Sequence, residues 1–212
     1  MAFNSTKKLS GNIEALRLAF SEQDSYSDEE ATVLRNYAGF GGLKAVLFGA
    51  GDRESWVQQN ASANDLRLYP LMMELHQLLQ EKLSPADYKA AVATLKNSIT
   101  TAFYTPELVP AALYAAMNEQ AIVPQRLYEP SSGAGIFITE AVKAFPDLQE
   151  INAVEKDILT GRVLMALALT LRPDSIVQVR GFEETSPDEK GKYERHDRVS
   201  LSALSGYGLK SQ

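Results

Sequence analysis

Two stretches of this chain combine residue types and a separation suited to holding a nucleotide-like ligand. The first is Glu129-Pro130-Ser131-Ser132-Gly133-Ala134-Gly135, and the second is Ala153-Val154-Glu155-Lys156-Asp157. Glycines between a strand and a helix let backbone approach a ligand, and the helix N-terminus that follows favours a carboxylate or phosphate. Glu155 lies about twenty residues further on, where an acid at a strand end can accept two hydrogen bonds from ribose hydroxyls. Each feature also has a plainer reading: a lone Gly-x-Gly suits any tight βα turn, and a strand-end Glu can simply be solvated. Ile138 stands where the dinucleotide signature Gly-x-Gly-x-x-Gly needs its third glycine, which disfavours a nicotinamide-dependent enzyme.

The elements that must position these residues follow from hydrophobic spacing. Leu127 to Glu129 predicts a strand, Ile136 to Phe145 a helix, Ile151 to Glu155 a strand, Ile158 to Leu171 an apolar helix and Ile176 to Val179 a third strand. This alternation implies a parallel sheet with right-handed crossovers, with any crevice at the carboxyl ends of the strands. The first hundred residues read as helical instead. Asn12 to Phe20 forms an amphipathic helix, and Ser27 caps a second one through Val33, Leu34 and Tyr37. Gly39-Phe40-Gly41-Gly42 ends that helix, while Leu43 to Phe48 is a short apolar run of open type. Pro70 opens a helix carrying Leu71, Leu75, Leu78, Leu79 and Leu83, and Ser84-Pro85-Ala86-Asp87 caps the next. Read alone, Phe103-Tyr104-Thr105-Pro106 is a helix start, with Thr105 as N-cap and Pro106 in the first turn. Trp56 is expected in packing, and His76 and His196 at the surface.

Composition excludes several classes. With 212 residues, 45% hydrophobic and 23% charged, the chain has the balance of a soluble globular protein. No apolar run reaches the ~18–20 residues that span a bilayer, and the start carries no secretory h-region. A cytoplasmic location without membrane contact is therefore expected. The chain has no cysteine, hence no disulfide and no thiolate nucleophile or metal ligand, and neither histidine has a metal-like partner. A net charge of −6 without a Lys/Arg block argues against autonomous nucleic-acid binding.

Glu129-Pro130-Ser131-Ser132-Gly133-Ala134-Gly135-Ile136-Phe137 resembles the Asp-Pro-Ala-x-Gly-Ser-Gly-x-Phe motif of N6-adenine DNA methyltransferases. More narrowly, the chain is similar to the N-terminal part of the large methylase–helicase proteins of bacterial mobile elements. Phe103-Tyr104-Thr105-Pro106 matches the family's aromatic-Tyr-Thr-Pro segment, and Asn36 to Leu43 also looks like its N-terminal region. The resemblance implies a helical N-terminal region (1–100), then part of a Rossmann-like S-adenosylmethionine-dependent methyltransferase domain (101–193). It further implies that Tyr104 and Thr105 meet the amino-acid end of S-adenosyl-L-methionine, and that Glu129, Ser131, Gly133 and Gly135 line its methionine moiety. Glu155 would hold the ribose, Lys156 and Ile158 would flank the adenine, and Glu183 would approach the adenine amino group, unless Phe182 packs on the ring instead.

The family continues beyond a Lys-Tyr pair into a strand and an Asn-Pro-Pro-aromatic turn, whose Asn and proline carbonyl hold the target amine while the aromatic stacks on the flipped base. This chain keeps Lys192-Tyr193 and then reads Glu194-Arg195-His196-Asp197-Arg198. None of its nine prolines is followed by another. The expectation is a truncated or frameshifted enzyme with a tail (194–212) outside the family, inactive alone, its DNA contacts supplied largely by regions it lacks. Three further outcomes stay open: a non-catalytic remnant, an interaction module that self-associates through an exposed sheet edge, and a fragment acting on protein or RNA.

Overall fold

The computed structural model describes residues 4–101 and 104–185, so the tail from 186 onward, with His196, lies outside the described residues. The chain divides into two compact units, Met1–Glu22 with Asp28–Phe103, and Gln23–Ser27 with Tyr104–Gln212. No helix among the described residues is long and apolar enough to cross a membrane.

The first unit is helical. Helix α1 spans Ser5–Ala19, capped by the Asn4 side chain on the Lys7 amide, and so begins before the expected Asn12. Leu9, Ile13 and Leu16 form its buried stripe. Helix α2 covers Asp28–Arg35, with three acids in its first turn, a favourable placement at the positive end of the helix dipole. The glycine-rich turn that follows is built into the unit. Asn12 Nδ2 donates to the Gly39 carbonyl at 2.6 Å, its Oδ1 accepts from the Ala38 amide at 2.9 Å, and Lys8 Nζ donates to the Gly41 carbonyl. Gly39 and Gly42 both have positive φ, a conformation that glycine adopts without strain. The open stretch after it is a 3-10 turn, Lys44–Leu47, and Arg53–Gln58 forms a short helix, α3, not anticipated from the sequence.

The helix expected to open at Pro70 instead runs Ala63–Lys82 (α4). Its start is set by a reciprocal cap in which Ser62 accepts from the Asp65 amide and Asp65 accepts from the Ser62 amide. Pro70 therefore lies inside the helix, where it has no N–H for the Leu66 carbonyl. His76 is the second correction. It is 3% exposed rather than at the surface, with Nδ1 2.9 Å from the Tyr88 hydroxyl of α5 (Pro85–Thr101). Its position explains this: Met72, Leu75, His76 and Leu79 fall at the i, i+3, i+4, i+7 spacing of one helix face. Burial, and then the Lys96 charge, hold its pKa below the ordinary histidine value. Trp56 packs between Phe48 and Tyr69, with ring centroids 5.1 Å from each.

The second unit is α/β. Helix α6 (Leu108–Glu119) leads to a parallel sheet in the order β1 (Arg126–Glu129), β2 (Glu150–Glu155), β3 (Ile176–Val179). Leu127 stands opposite Ile151, and Ala153 opposite Val177. The crossovers are α7 (Ile136–Ala144) and α8 (Ile158–Leu171). Leu127, Ile151 and Ala153 share one core with Phe137, Ile138, Ala141 and Phe145 and with Leu164 of α8. Both crossover helices thus cover the same face, as two crossovers of like hand stepping the same way across a sheet require. Tyr128 and Val154 belong to the opposite face, where Asn152 is also buried and accepts from the Gln178 side chain at 3.2 Å. With strands and helices alternating and the sheet parallel, the fold class is α/β.

Candidate functional site

The carboxyl ends of β1 and β2 bring most of the expected residues together. β1 stops at Glu129, which is fully buried and whose Oε1 accepts the Ser131 amide at 3.3 Å. Ser132 then ties the turn to the sheet: its amide donates to the Val154 carbonyl and its hydroxyl to the Glu129 carbonyl, each at 2.9 Å. Gly133 and Gly135 both have positive φ, +52° and +84°. Gly135 also begins α7 without a side-chain cap, leaving the amides of that helix's first turn without a partner from the capping position.

The two glycines do different work. A Cβ on Gly133 would stand 2.9 Å from Tyr104 Cε1, so the tyrosine ring lies directly on this turn. A Cβ on Gly135 would stand 2.8 Å from Leu164 Cδ1 and 3.2 Å from Leu167 Cδ2. The space that a side chain at position 135 would fill is thus taken by α8.

Glu155, at the end of β2, braces both turns. Its Oε2 accepts the Gly133 amide and its Oε1 the Asp157 amide, each at 2.8 Å. A carboxylate offers about four acceptor positions, and the Gly133, Lys156 and Asp157 amides take three of them. Burial raises the Glu155 pKa above the ordinary carboxylate value, opposed by the backbone amides and reinforced by the Asp157 charge. Asp157 caps α8, with Oδ1 accepting the Thr160 amide at 2.7 Å, while Oδ2 is buried with no hydrogen-bond partner among the described residues. Thr160 Oγ1 in turn meets the Tyr104 hydroxyl at 3.2 Å. Burial drives the Tyr104 phenol well above its ordinary pKa, as do the carboxylates of Glu155 and Asp157, against the Thr160 hydrogen bond.

The remaining expected residues surround this cluster less closely. Thr105 does not cap α6, which is led by Glu107 without a side-chain cap. The expected N-cap is thus displaced because Pro106 and Glu107 form an extra turn first, through the bond from the Val109 amide to the Pro106 carbonyl. Lys156 is exposed in the β2–α8 turn and Ile158 is the first residue of α8. Glu183 is exposed in the 3-10 turn after β3, its carboxylate folded toward Gly181. Phe182 rests near Tyr128, ring centroids 6.4 Å apart, on the face away from α7.

Ser132, Asp157 and Thr160 were not singled out from the sequence. Asp157 directly before an apolar helix carries the ordinary N-cap signal. Ser132 and Thr160 act through contacts between segments distant in the chain, and local spacing gives no sign of those. The arrangement places three carboxylates, those of Glu129, Glu155 and Asp157, and the Tyr104 phenol beside the carboxyl ends of β1 and β2. No protein-family model, no curated protein and no solved structure matches the chain.

Proposed function

We propose that the carboxyl ends of β1 and β2 form a crevice that binds S-adenosyl-L-methionine, and that the chain is the cofactor-binding part of a Rossmann-like DNA adenine-N6 methyltransferase. The observation that carries the reading is the placement of Glu155. Its carboxylate, at the carboxyl end of β2, accepts from the Gly133, Lys156 and Asp157 amides at once, beside a turn whose backbone is left-handed at both glycines. Glu155 would accept the ribose hydroxyls, while Glu129, Ser131 and the Gly133–Gly135 turn would line the methionine moiety. Tyr104 and Thr105 would adjoin its amino-acid end, Lys156 and Ile158 the adenine faces, and Glu183 the adenine amine. The bound cofactor would supply an electrophilic methyl group; the residues described here bind and orient it.

DNA as the methyl acceptor rests on the motif resemblance. Because the chain carries −6, its own DNA affinity is expected to be weak and salt-sensitive. Isothermal calorimetry of the purified chain with S-adenosylmethionine tests the reading: binding on the order of micromolar is expected, and wild-type protein without measurable heat or saturation refutes it. A parallel assay with labelled cofactor and adenine-containing DNA is expected to show no methyl transfer by this chain alone, because no Asn/Asp-Pro-Pro-aromatic turn occurs among its residues. Transfer above a no-enzyme control would assign the chemistry to other groups here.

A further inference from the structure

We propose that Tyr104 is a gate on the crevice, closed by one hydrogen bond to Thr160 and opened by rotation of its own side chain. The inference rests on the cofactor reading and adds to it the way a ligand enters. Tyr104 is held by two contacts on different walls. Its ring lies where a side chain at position 133 would be, with Cε1 and Cδ1 at 2.9 and 3.0 Å from that point, on the β1–α7 turn. Its hydroxyl is 3.2 Å from Thr160 Oγ1, in the first turn of α8. Between these walls is Glu155, bonded to the Gly133 amide on one side and the Asp157 amide on the other. The ring therefore bridges the two turns that Glu155 braces, next to the group assigned to the ribose. A ligand that engages both the Gly133 backbone and Glu155 has to pass it.

The closed position depends on two sequence choices. Glycine at 133 leaves room for the ring, since any Cβ would meet it inside van der Waals distance. The holding bond joins two neutral hydroxyls, the weak kind of hydrogen bond, so the ring can leave without an ionic penalty. Rotation about the Tyr104 side-chain bonds is the motion that the gate requires, since it breaks the Thr160 bond and leaves the rest of the site in place.

The test separates a gate from a fixed wall by kinetics. Association and dissociation of S-adenosylmethionine are measured on the immobilised full chain for wild type, Thr160→Val and Tyr104→Phe. A gate predicts that Thr160→Val raises both rates together, by roughly fivefold for one net hydrogen bond, with Kd changed by less than about twofold. Tyr104→Phe, which keeps the ring and removes the hydroxyl, is expected to speed association as well. Both variants should retain the Gly133 amide resonance of a folded turn, shifted as ring contact loosens. Faster dissociation alone, or unchanged rates with intact binding, would show that Tyr104 is a static wall and overturn the gate while leaving the cofactor reading in place. Absence of wild-type binding in calorimetry overturns the cofactor reading and the gate with it.

Discussion

At the scale of single residues, glycine gives the sharpest contrast. Gly135 has φ +84° and its missing side chain would meet buried methyl groups of Leu164 and Leu167. Gly135→Ala is expected to destabilise by roughly 2–4 kcal/mol, summing left-handed strain and overpacking. Gly11, inside α1, has no atom within 4 Å of its would-be Cβ, so Gly11→Ala should stabilise by about 0.5–1 kcal/mol. Midpoints of urea unfolding decide both signs, and a neutral Gly135→Ala would refute the packing account. Glu155 gives a second test at this scale. Its pKa is raised by burial, and an acid whose folded pKa exceeds its unfolded value makes a stability contribution present at low pH and lost as pH rises through the folded value. Ligand affinity should run the other way, because the ionised carboxylate is the better acceptor. Affinity for S-adenosylmethionine is expected to fall as pH drops from about 7 toward the range just above the ordinary carboxylate pKa of ~4.3. Glu155→Gln should bind about tenfold more weakly at neutral pH and lose that acid-side fall. A variant whose pH profile matches wild type would remove Glu155 from the site.

At the scale of elements, the Gly39–Gly42 turn depends on a side chain 27 residues earlier. Asn12 satisfies the Gly39 carbonyl and the Ala38 amide at once, and is itself fully buried. Asn12→Ala strands both backbone groups, and at about 1–3 kcal/mol for each unsatisfied group the helical unit should lose roughly 2–4 kcal/mol. Trp56, the single tryptophan and buried in the same unit, reports the transition by fluorescence; a midpoint within error of wild type would mean the turn holds itself. Elements of this kind mark the limit of what the sequence discloses. The bounds of α8 and β3 coincide with their apolar runs because those elements are specified by their own periodicity. α4 starts seven residues before Pro70 because Ser62 and Asp65 cap each other, a local signal that the conspicuous proline obscured. α1 extends back to Ser5 because Asn4 caps it, upstream of the first clear apolar repeat. His76 is buried since its position on α4, rather than its polarity, decides its surroundings. In the site, Glu155 and the two glycines were legible from strand-end position and turn chemistry. The Tyr104–Thr160 bond, which spans 56 residues, was not, since only the folded sheet brings those residues together.

At the scale of the whole molecule, the sheet itself predicts association. Among the described residues β3 pairs with β2 alone, and its four residues, Ile176-Val177-Gln178-Val179, carry no charge. Edge strands are ordinarily guarded by lysine, proline or a bulge, because their free backbone groups template pairing with another chain. Ile176 is 44% exposed, and Met165 and Leu169 of α8, which packs on β3, are exposed as well. Two copies could add strands at this edge and cover part of that apolar surface in the same step. Light scattering coupled to size exclusion is therefore expected to show a mass that rises with protein concentration. Ile176→Lys should shift the protein toward the monomer, because an ammonium group on the edge opposes both the pairing and the apolar contact. The charge acts at β3, whereas Glu155 ends β2, so S-adenosylmethionine affinity serves as the check that the variant is folded. A wild-type mass independent of concentration, or association undiminished in Ile176→Lys with cofactor binding intact, would show that this edge does not drive assembly.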